Sequence, residues 1–243
     1  MAGRSGAAID PQNLTWVMPA EGEMNSTTPA AAAVIVAGGD PVPADGLPPL
    51  PADRFVIAAD GGLHAARDLG LSVDLVVGDF DSATPEAVAW AEQQGADLER
   101  HPADKDATDL QLALEAAVER NLSPVVVLGG AGFDRIDHFM ANALLLAQPR
   151  FRGLRPQWWV KGAHVAPVHG RLEINAAPGD LVTLLPIGGE ATGVTTRGLR
   201  WRLDDETLEP GSTRGVSNEM TDPSAEVSVL TGTLLAIHTR GPR

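Results

Sequence analysis

The sequence predicts an α/β protein: an N-terminal parallel-sheet α/β domain over residues 31–153, then a C-terminal antiparallel β-sandwich domain over 154–243. Three observations predict it. Four short apolar runs rich in β-branched residues, each suited to a strand buried on both faces, lie before residue 130. Helical stripes separate them, and strand–helix alternation implies a parallel sheet covered on both sides. Beyond about residue 155 the stripes vanish, and short runs broken by Gly, Pro and Asn replace them.

Residues 1–30 mix Gly, Ser, Thr, Pro, Met and Asn without periodicity and read as a disordered extension. The strands are AAVIV (32–36), FVIAA (55–59), VDLVV (73–77) and PVVVL (124–128), with a short one near LERH (98–101). Thr84-Pro85 opens a helix as N-cap and first-turn proline, and Gly95 closes it. Leu110, Ala113, Leu114, Ala117 and Val118 form one apolar stripe; Ile136, Phe139, Met140, Ala143, Leu144 and Ala147 form another. The texture changes near Gly153. QWWV, HVAPVHG, RLEIN, DLVTLLPIG, ATGVTTRGL and EVSVLTGTLLAIHT then supply the sandwich strands, with Trp158 and Trp159 at the domain junction. No internal repeat is visible.

Thirty-two acidic against 18 basic side chains give a net charge of −14, which excludes nucleic-acid binding through a positive face. The chain has no cysteine, hence no disulfide or thiolate site, and this fits a reducing cytoplasm. No apolar run is long enough to span a membrane.

Chemistry concentrates in GDFDS (78–82) and DKDATD (104–109), which together hold five aspartates and one lysine. Ligands of open α/β sheets bind outside the carboxyl ends of the strands. Asp60-Gly61-Gly62, the GDFDS loop, the DKDATD loop and residues 129–138 all fall there. In an extended loop Asp79 and Asp81 would point the same way, and Asp106 and Asp109 can share a helix start. Several carboxylates at one edge call for a cation. Oxygen-only ligands point to Mg2+ rather than zinc. Gly61, Gly62, Gly78, Gly129, Gly130 and Gly132 would let backbone N–H groups approach phosphates. Read alone, Asp60 fits an Asp–Gly turn as well as a site, and Asp104 fits a turn better. There is no GxxxxGK[ST] loop and no EF-hand spacing.

DGGLHAARDLG (60–70), VGDFDS (77–82), DKDATDLQLAL (104–114), GGAGFDRIDHFMANALLL (129–146), GLRWRL (198–203) and GVSNE (215–219) resemble blocks of the thiamin pyrophosphokinase family, in the family's order. The resemblance covers about residues 32–240. It implies transfer of a pyrophosphoryl group from ATP, as co-substrate with Mg2+, to the hydroxyl of thiamin, giving thiamin diphosphate and AMP. It also implies a homodimer whose active sites lie between one subunit's α/β domain and the other's β domain. By position, Asp79, Asp81 and Asp109 match the acids around magnesium, and Asp60 and Asp137 match further acids of the catalytic site. Gly61, Gly62, Ser82, Lys105, Asp106, Thr108, Gly130 and Arg135 fall where the nucleotide's phosphates would lie. Ser217 and Asn218, with Asp137, fall at the thiamin site. Asp60 or Asp81 is the expected acceptor of the hydroxyl proton. Trp201 fits equally a stacking partner for thiamin or a strand residue of the sandwich core. His64 and His138 read as structural histidines. The competing functions are pyrophosphoryl transfer to a pterin-type hydroxymethyl heterocycle and non-catalytic nucleotide or thiamin binding on the same fold.

Overall fold

The computed structural model describes residues 16–17, 31–44, 47–132 and 135–241. Its elements are β1 (Trp16–Val17), β2 (Ala32–Ala37), β3 (Arg54–Ala59), α1 (Gly62–Asp68), β4 (Leu75–Gly78), α2 (Pro85–Gln93), β5 (Asp97–Arg100), α3 (Asp109–Glu119), β6 (Val125–Gly129) and α4 (Ile136–Leu146). A 3-10 turn (Pro149–Leu154) leads into β7 (Gln157–Val160), β8 (Ala163–Val168), β9 (Arg171–Asn175), β10 (Leu181–Pro186), β11 (Ala191–Arg197), β12 (Glu206–Leu208), β13 (Asn218–Glu219), β14 (Ser224–Ser228) and β15 (Leu234–Thr239). The expected disordered extension lies outside the described residues except for β1, which pairs with β9.

Local signals account for the helices. Thr84 caps α2, its hydroxyl accepting from Ala87 N at 3.3 Å, with Pro85 in the first turn. Thr108 caps α3 through Gln111 N. Strands β7, β6, β2, β3, β4 and β5 pair in parallel in that order. Alternate strand residues face opposite ways. Ile35, Ile57 and Val127 meet the α3 stripe and Leu145–Leu146 of α4 on one face. Val34, Val36 and Val76 meet Leu63 and Ala66 of α1 and Ala87 and Ala91 of α2 on the other.

The expected fold class holds, with one change of partner. QWWV, read as a strand of the antiparallel half, is β7, which pairs parallel with β6 and antiparallel with β8. Both pairings suit an alternating buried strand, so the pattern of side chains could not separate them. One ten-stranded sheet therefore joins strands from both sides of residue 153 in the order β13-β10-β15-β8-β7-β6-β2-β3-β4-β5. A second sheet, β1-β9-β14-β11-β12, closes over the antiparallel half, and Leu172, Ile174, Val194 and Val227 interdigitate with Val168, Leu184 and Leu234 between them. Trp158 is fully buried where the halves join, donates to Gly129 O at 2.7 Å and tilts against Phe139. Among the described residues no helix is long and apolar enough to cross a membrane.

His164 of β8 is buried, stacks on Trp159 at 4.1 Å and lies opposite His238 of β15, which pairs with Asp180 at 2.9 Å. Burial first, and the neighbouring His238 charge second, hold its pKa well below the usual histidine range. The unfolded chain therefore takes up a proton that the folded chain refuses, and stability falls as pH drops below ~6.5, by up to about 1.4 kcal/mol per pH unit for this group. Chemical unfolding followed between pH 7.5 and 5.5 should show that loss, and His164→Phe, which keeps a ring against Trp159, should flatten it. An unchanged slope in the variant would assign the loss elsewhere.

Candidate active site

The acids converge because backbone groups approach one another at the carboxyl ends of β3 and β4. Asp60 follows β3 with φ 43°; its N–H donates to Val77 O at 2.9 Å, and its carbonyl accepts from Leu63 N at 3.0 Å to start α1. That turn presses α1 onto β2. A Cβ at Gly62 would stand 2.0 Å from Val36 O. Gly78, at φ 147°, lies between two acids: a Cβ there would be 2.9 Å from Asp60 Cβ and 3.1 Å from Asp109 Oδ1.

The GDFDS loop is not extended. Phe80 takes φ 67° with its ring buried, and Asp81 N donates to Asp79 Oδ1 at 3.1 Å across the turn. Arg100 covers the Phe80 ring at 4.5 Å and donates to Asp79 O at 3.1 Å. Asp79 and Asp81 thus converge through a braced left-handed turn rather than through strand alternation.

Asp60, Asp79 and Asp81 each offer an oxygen within 4.8 Å of the others. At that separation two carboxylates repel by roughly 3–4 kcal/mol at an effective dielectric near 20. Asp60 is 6% exposed, and its Oδ1 is buried without a hydrogen-bond partner, a costly state for an acceptor. Three hard oxygen donors and one orphaned buried oxygen fit a divalent cation such as Mg2+. Asp60, Asp79 and Asp81 form this group, and Asp109, which the sequence reading set with Asp79 and Asp81, lies beside it: its Oδ1 and the Asp60 Cβ would both crowd a Cβ at Gly78.

Asp109 also faces Lys105. The Lys105 ammonium donates to Asp79 Oδ2 at 2.8 Å and lies 3.0 Å from Asp109 Oδ1. That bond, joined by Asp81 N, lowers the pKa of Asp79. Desolvation opposes the Lys105 charge, but the two acids outweigh it and raise the lysine's pKa. For Asp109 desolvation exceeds the help from Lys105, and Asp60 and Asp79 add repulsion, so its pKa is raised.

The remaining predicted residues are placed as follows. Ser82 donates to Asp81 Oδ1 at 2.9 Å, which orients that carboxylate. Gly61 abuts Ser82, and its carbonyl accepts from His64 N. His64 Nε2 accepts from Thr84 N at 3.3 Å and ties α1 to the start of α2. Thr108 caps α3, and Asp106 is exposed beside it. Gly130 N donates to Gly38 O, and Gly130 O accepts from the buried Asn142 side chain at 2.8 Å. Sequence reasoning missed Asn142, whose helical spacing gave no hint of that bond. Arg135 pairs with Asp137 at 2.8 Å at the exposed start of α4 and holds its pKa at about 2.

Ser217 and Asn218 sit on the opposite edge of the sheet. Ser217 is exposed at φ 54°, its N–H donating to Thr183 Oγ1 at 2.9 Å. Asn218 is buried: its Oδ1 accepts from Trp201 N at 3.0 Å and Glu219 N at 2.9 Å, and its Nδ2 donates to Trp201 O at 2.7 Å. The amide clamps the Trp201 turn. The Trp201 ring is half-exposed under the Arg200 guanidinium at 5.1 Å, outside the sandwich core.

Two family models match the chain: "Thiamin pyrophosphokinase, catalytic domain" over residues 50–156 and "Thiamin pyrophosphokinase, vitamin B1 binding domain" over 171–234. Thiamine pyrophosphokinase of Bacillus subtilis (strain 168) is 28% identical over 183 residues, covering 74% of this chain and 85% of the relative. Thiamine pyrophosphokinase 1 of Oryza sativa subsp. japonica is 28% identical over 205 residues, covering 72% and 75%. The crystal structure of the Bacillus subtilis protein superposes with a TM-score of 0.76 at 25% identity, covering 87% of this chain and all of that one. From the two matched domains and these relatives, the chain belongs to the thiamin pyrophosphokinase family.

Proposed function

We propose that the protein is a cytoplasmic thiamin pyrophosphokinase, transferring the pyrophosphoryl group of Mg-ATP to the hydroxyl of thiamin to give thiamin diphosphate and AMP. The observation that carries this is the convergence of Asp60, Asp79 and Asp81 around a buried, unpartnered oxygen, within a chain of this family. These three residues would hold the magnesium ion. When bound, the ion neutralises charge on the transferring phosphates. The protein's own contribution is placement: Ser82 and Asp81 N fix the carboxylates, and Lys105 brings a cation to the same edge. With thiamin itself a cation, an acidic chain can receive both substrates.

Within one chain the two halves of such a site stand apart. β13, which carries Asn218, and β3, which precedes Asp60, are seven strand steps apart in the ten-stranded sheet. At ~4.8 Å per step that is roughly 34 Å. In our reading the acids of one copy meet Ser217 and the Trp201 turn of a second copy in a homodimer. Ile136, Met140 and Leu144, an exposed apolar stripe at four-residue spacing on α4, offer a face for that contact.

Purified protein given Mg-ATP should release AMP only with thiamin, not with a pterin-type acceptor. Asp79→Asn or Asp81→Asn should lower turnover about 10²–10³-fold while the fold persists. Wild-type turnover in both variants would end the metal assignment. Gly78→Ala drives a Cβ between Asp60 and Asp109 and should cost roughly 1–3 kcal/mol of stability together with most AMP release. An active, fully stable variant would show that the acids have slack. Mixing inactive Asp79→Asn with inactive Ser217→Ala/Asn218→Ala protein should restore about a quarter of wild-type activity, since half the dimers would be mixed and each would contain one intact site. If no activity returns although subunits demonstrably exchange, the shared site is refuted.

A further inference from the structure

We propose that Asn142 and Trp158 are positioning residues of the nucleotide site: their side chains hold the Gly129 and Gly130 carbonyls inward, so that the loop after β6 presents N–H groups, and not oxygens, to phosphate. The inference rests on the reading of this loop as a phosphate contact. Neither side chain needs to touch the nucleotide.

Backbone receives an anion well only where its carbonyl dipoles point elsewhere. Beyond β6 three successive carbonyls are drawn off in this way. Gly129 O accepts from Trp158 Nε1 at 2.7 Å, Gly130 O from Asn142 Nδ2 at 2.8 Å, and Ala131 O from Asp40 N at 2.7 Å. In a trans peptide unit the N–H points opposite to the C=O, so the Ala131 amide is turned away from Asn142 and the Gly132 amide away from Asp40. Gly130, assigned to the phosphates by its block, gives its own N–H to Gly38 O at 2.9 Å. Its part is to set the direction of the units that follow.

Those units need holding. Gly129 and Gly130 stand at φ 78° and 75°, and the freedom that lets glycine rest there also lets a peptide unit turn over. Asn142 and Trp158 are buried, so a carbonyl that lost its bond would be left without a partner or would swing out toward the ligand. The two donors sit together. A Cβ at Gly130 would stand 3.3 Å from Asn142 Nδ2 and 3.7 Å from Trp158 Nε1. Phe139, one turn before Asn142 on α4, tilts against the Trp158 ring at 5.2 Å, which makes the pair a single clamp. Packing alone gives no reason for an amide at position 142. The other large side chains that α4 buries are Leu145 and Leu146, and a buried amide is costly unless bonded.

Calorimetric titration of the full-length protein with α,β-methylene-ATP and Mg2+, without thiamin, reads the effect in the absence of turnover. Asn142→Leu, close in volume but without the amide, should weaken the analogue about tenfold, and Trp158→Phe, which keeps a ring on Phe139, about fivefold. Both should raise KM for Mg-ATP by similar factors and leave KM for thiamin within about twofold. Leu146→Ala, fully buried on the same helix, controls for general loosening: it should lower Tm at least as far and leave the Kd of the analogue unchanged. Equal weakening by Leu146→Ala, or a wild-type Kd in folded Asn142→Leu and Trp158→Phe, would refute the positioning role. If Asn142→Leu does not fold, the Kd of Trp158→Phe decides alone. Should the wild type itself ignore the analogue, the nucleotide reading falls and this role with it; tight binding by wild type and variants alike removes only the role.

Discussion

Carboxylates that reach within 4.8 Å of one another repel, so the loops bearing Asp60, Asp79 and Asp81 must be braced from outside. The bracing is mostly backbone. Asp60 is fixed between the β4 carbonyl of Val77 and the first turn of α1, and α1 can begin there only because Gly62 lets it touch β2. Gly78 gives Asp60 and Asp109 the space that any side chain would fill. Phe80 pins the next loop from below, and Arg100 clamps the same turn from above. The cost of crowding is thus met by packing that a mobile loop could not supply, which leaves the acids preorganised for a cation.

The continuous sheet imposes a second constraint. β7 joins the halves by pairing with β6 on one side and β8 on the other, and Trp158 locks the seam by its bond to Gly129. A rigid seam keeps the Trp201 turn and the acid cluster at opposite ends of one sheet. Were substrate sites built on both ends, they would meet through a second molecule, and the exposed Ile136, Met140 and Leu144 lie on the α/β half.

What the sequence revealed was mostly local. Apolar runs marked β2, β3 and β6, and Thr84-Pro85 and the Leu110 stripe marked α2 and α3, because burial and capping act over a few residues. The acids were visible as a cluster, since loops after successive parallel strands share an edge. The division of labour within it was not. That Lys105 stands between Asp79 and Asp109 depends on ångström-scale placement between α3 and β4, and no spacing rule encodes that. Phe80 in the left-handed region escaped notice because nothing in GDFDS forbids an extended loop. Asn218 was placed at the substrate site from its block, and the block gave no sign that its amide also binds Trp201 and Glu219, partners that only the folded chain brings together. QWWV shows the same limit, for alternation marks a strand but not its neighbour.

The distribution of positive charge completes the electrostatic picture. Of 18 basic residues 16 are arginine, and several stand on the surface paired with acids, as Arg214 is with Glu206 and Arg171 with Glu226. Such pairs add little stability. Both lysines stand instead beyond the carboxyl ends of parallel strands, Lys105 after β5 and Lys161 after β7, each against an aspartate. A chain of net charge −14 repels a polyphosphate everywhere unless cations gather at one place. One ammonium against Asp60, Asp79, Asp81 and Asp109 leaves that place short of positive charge, which is the deficit a divalent cation would make up.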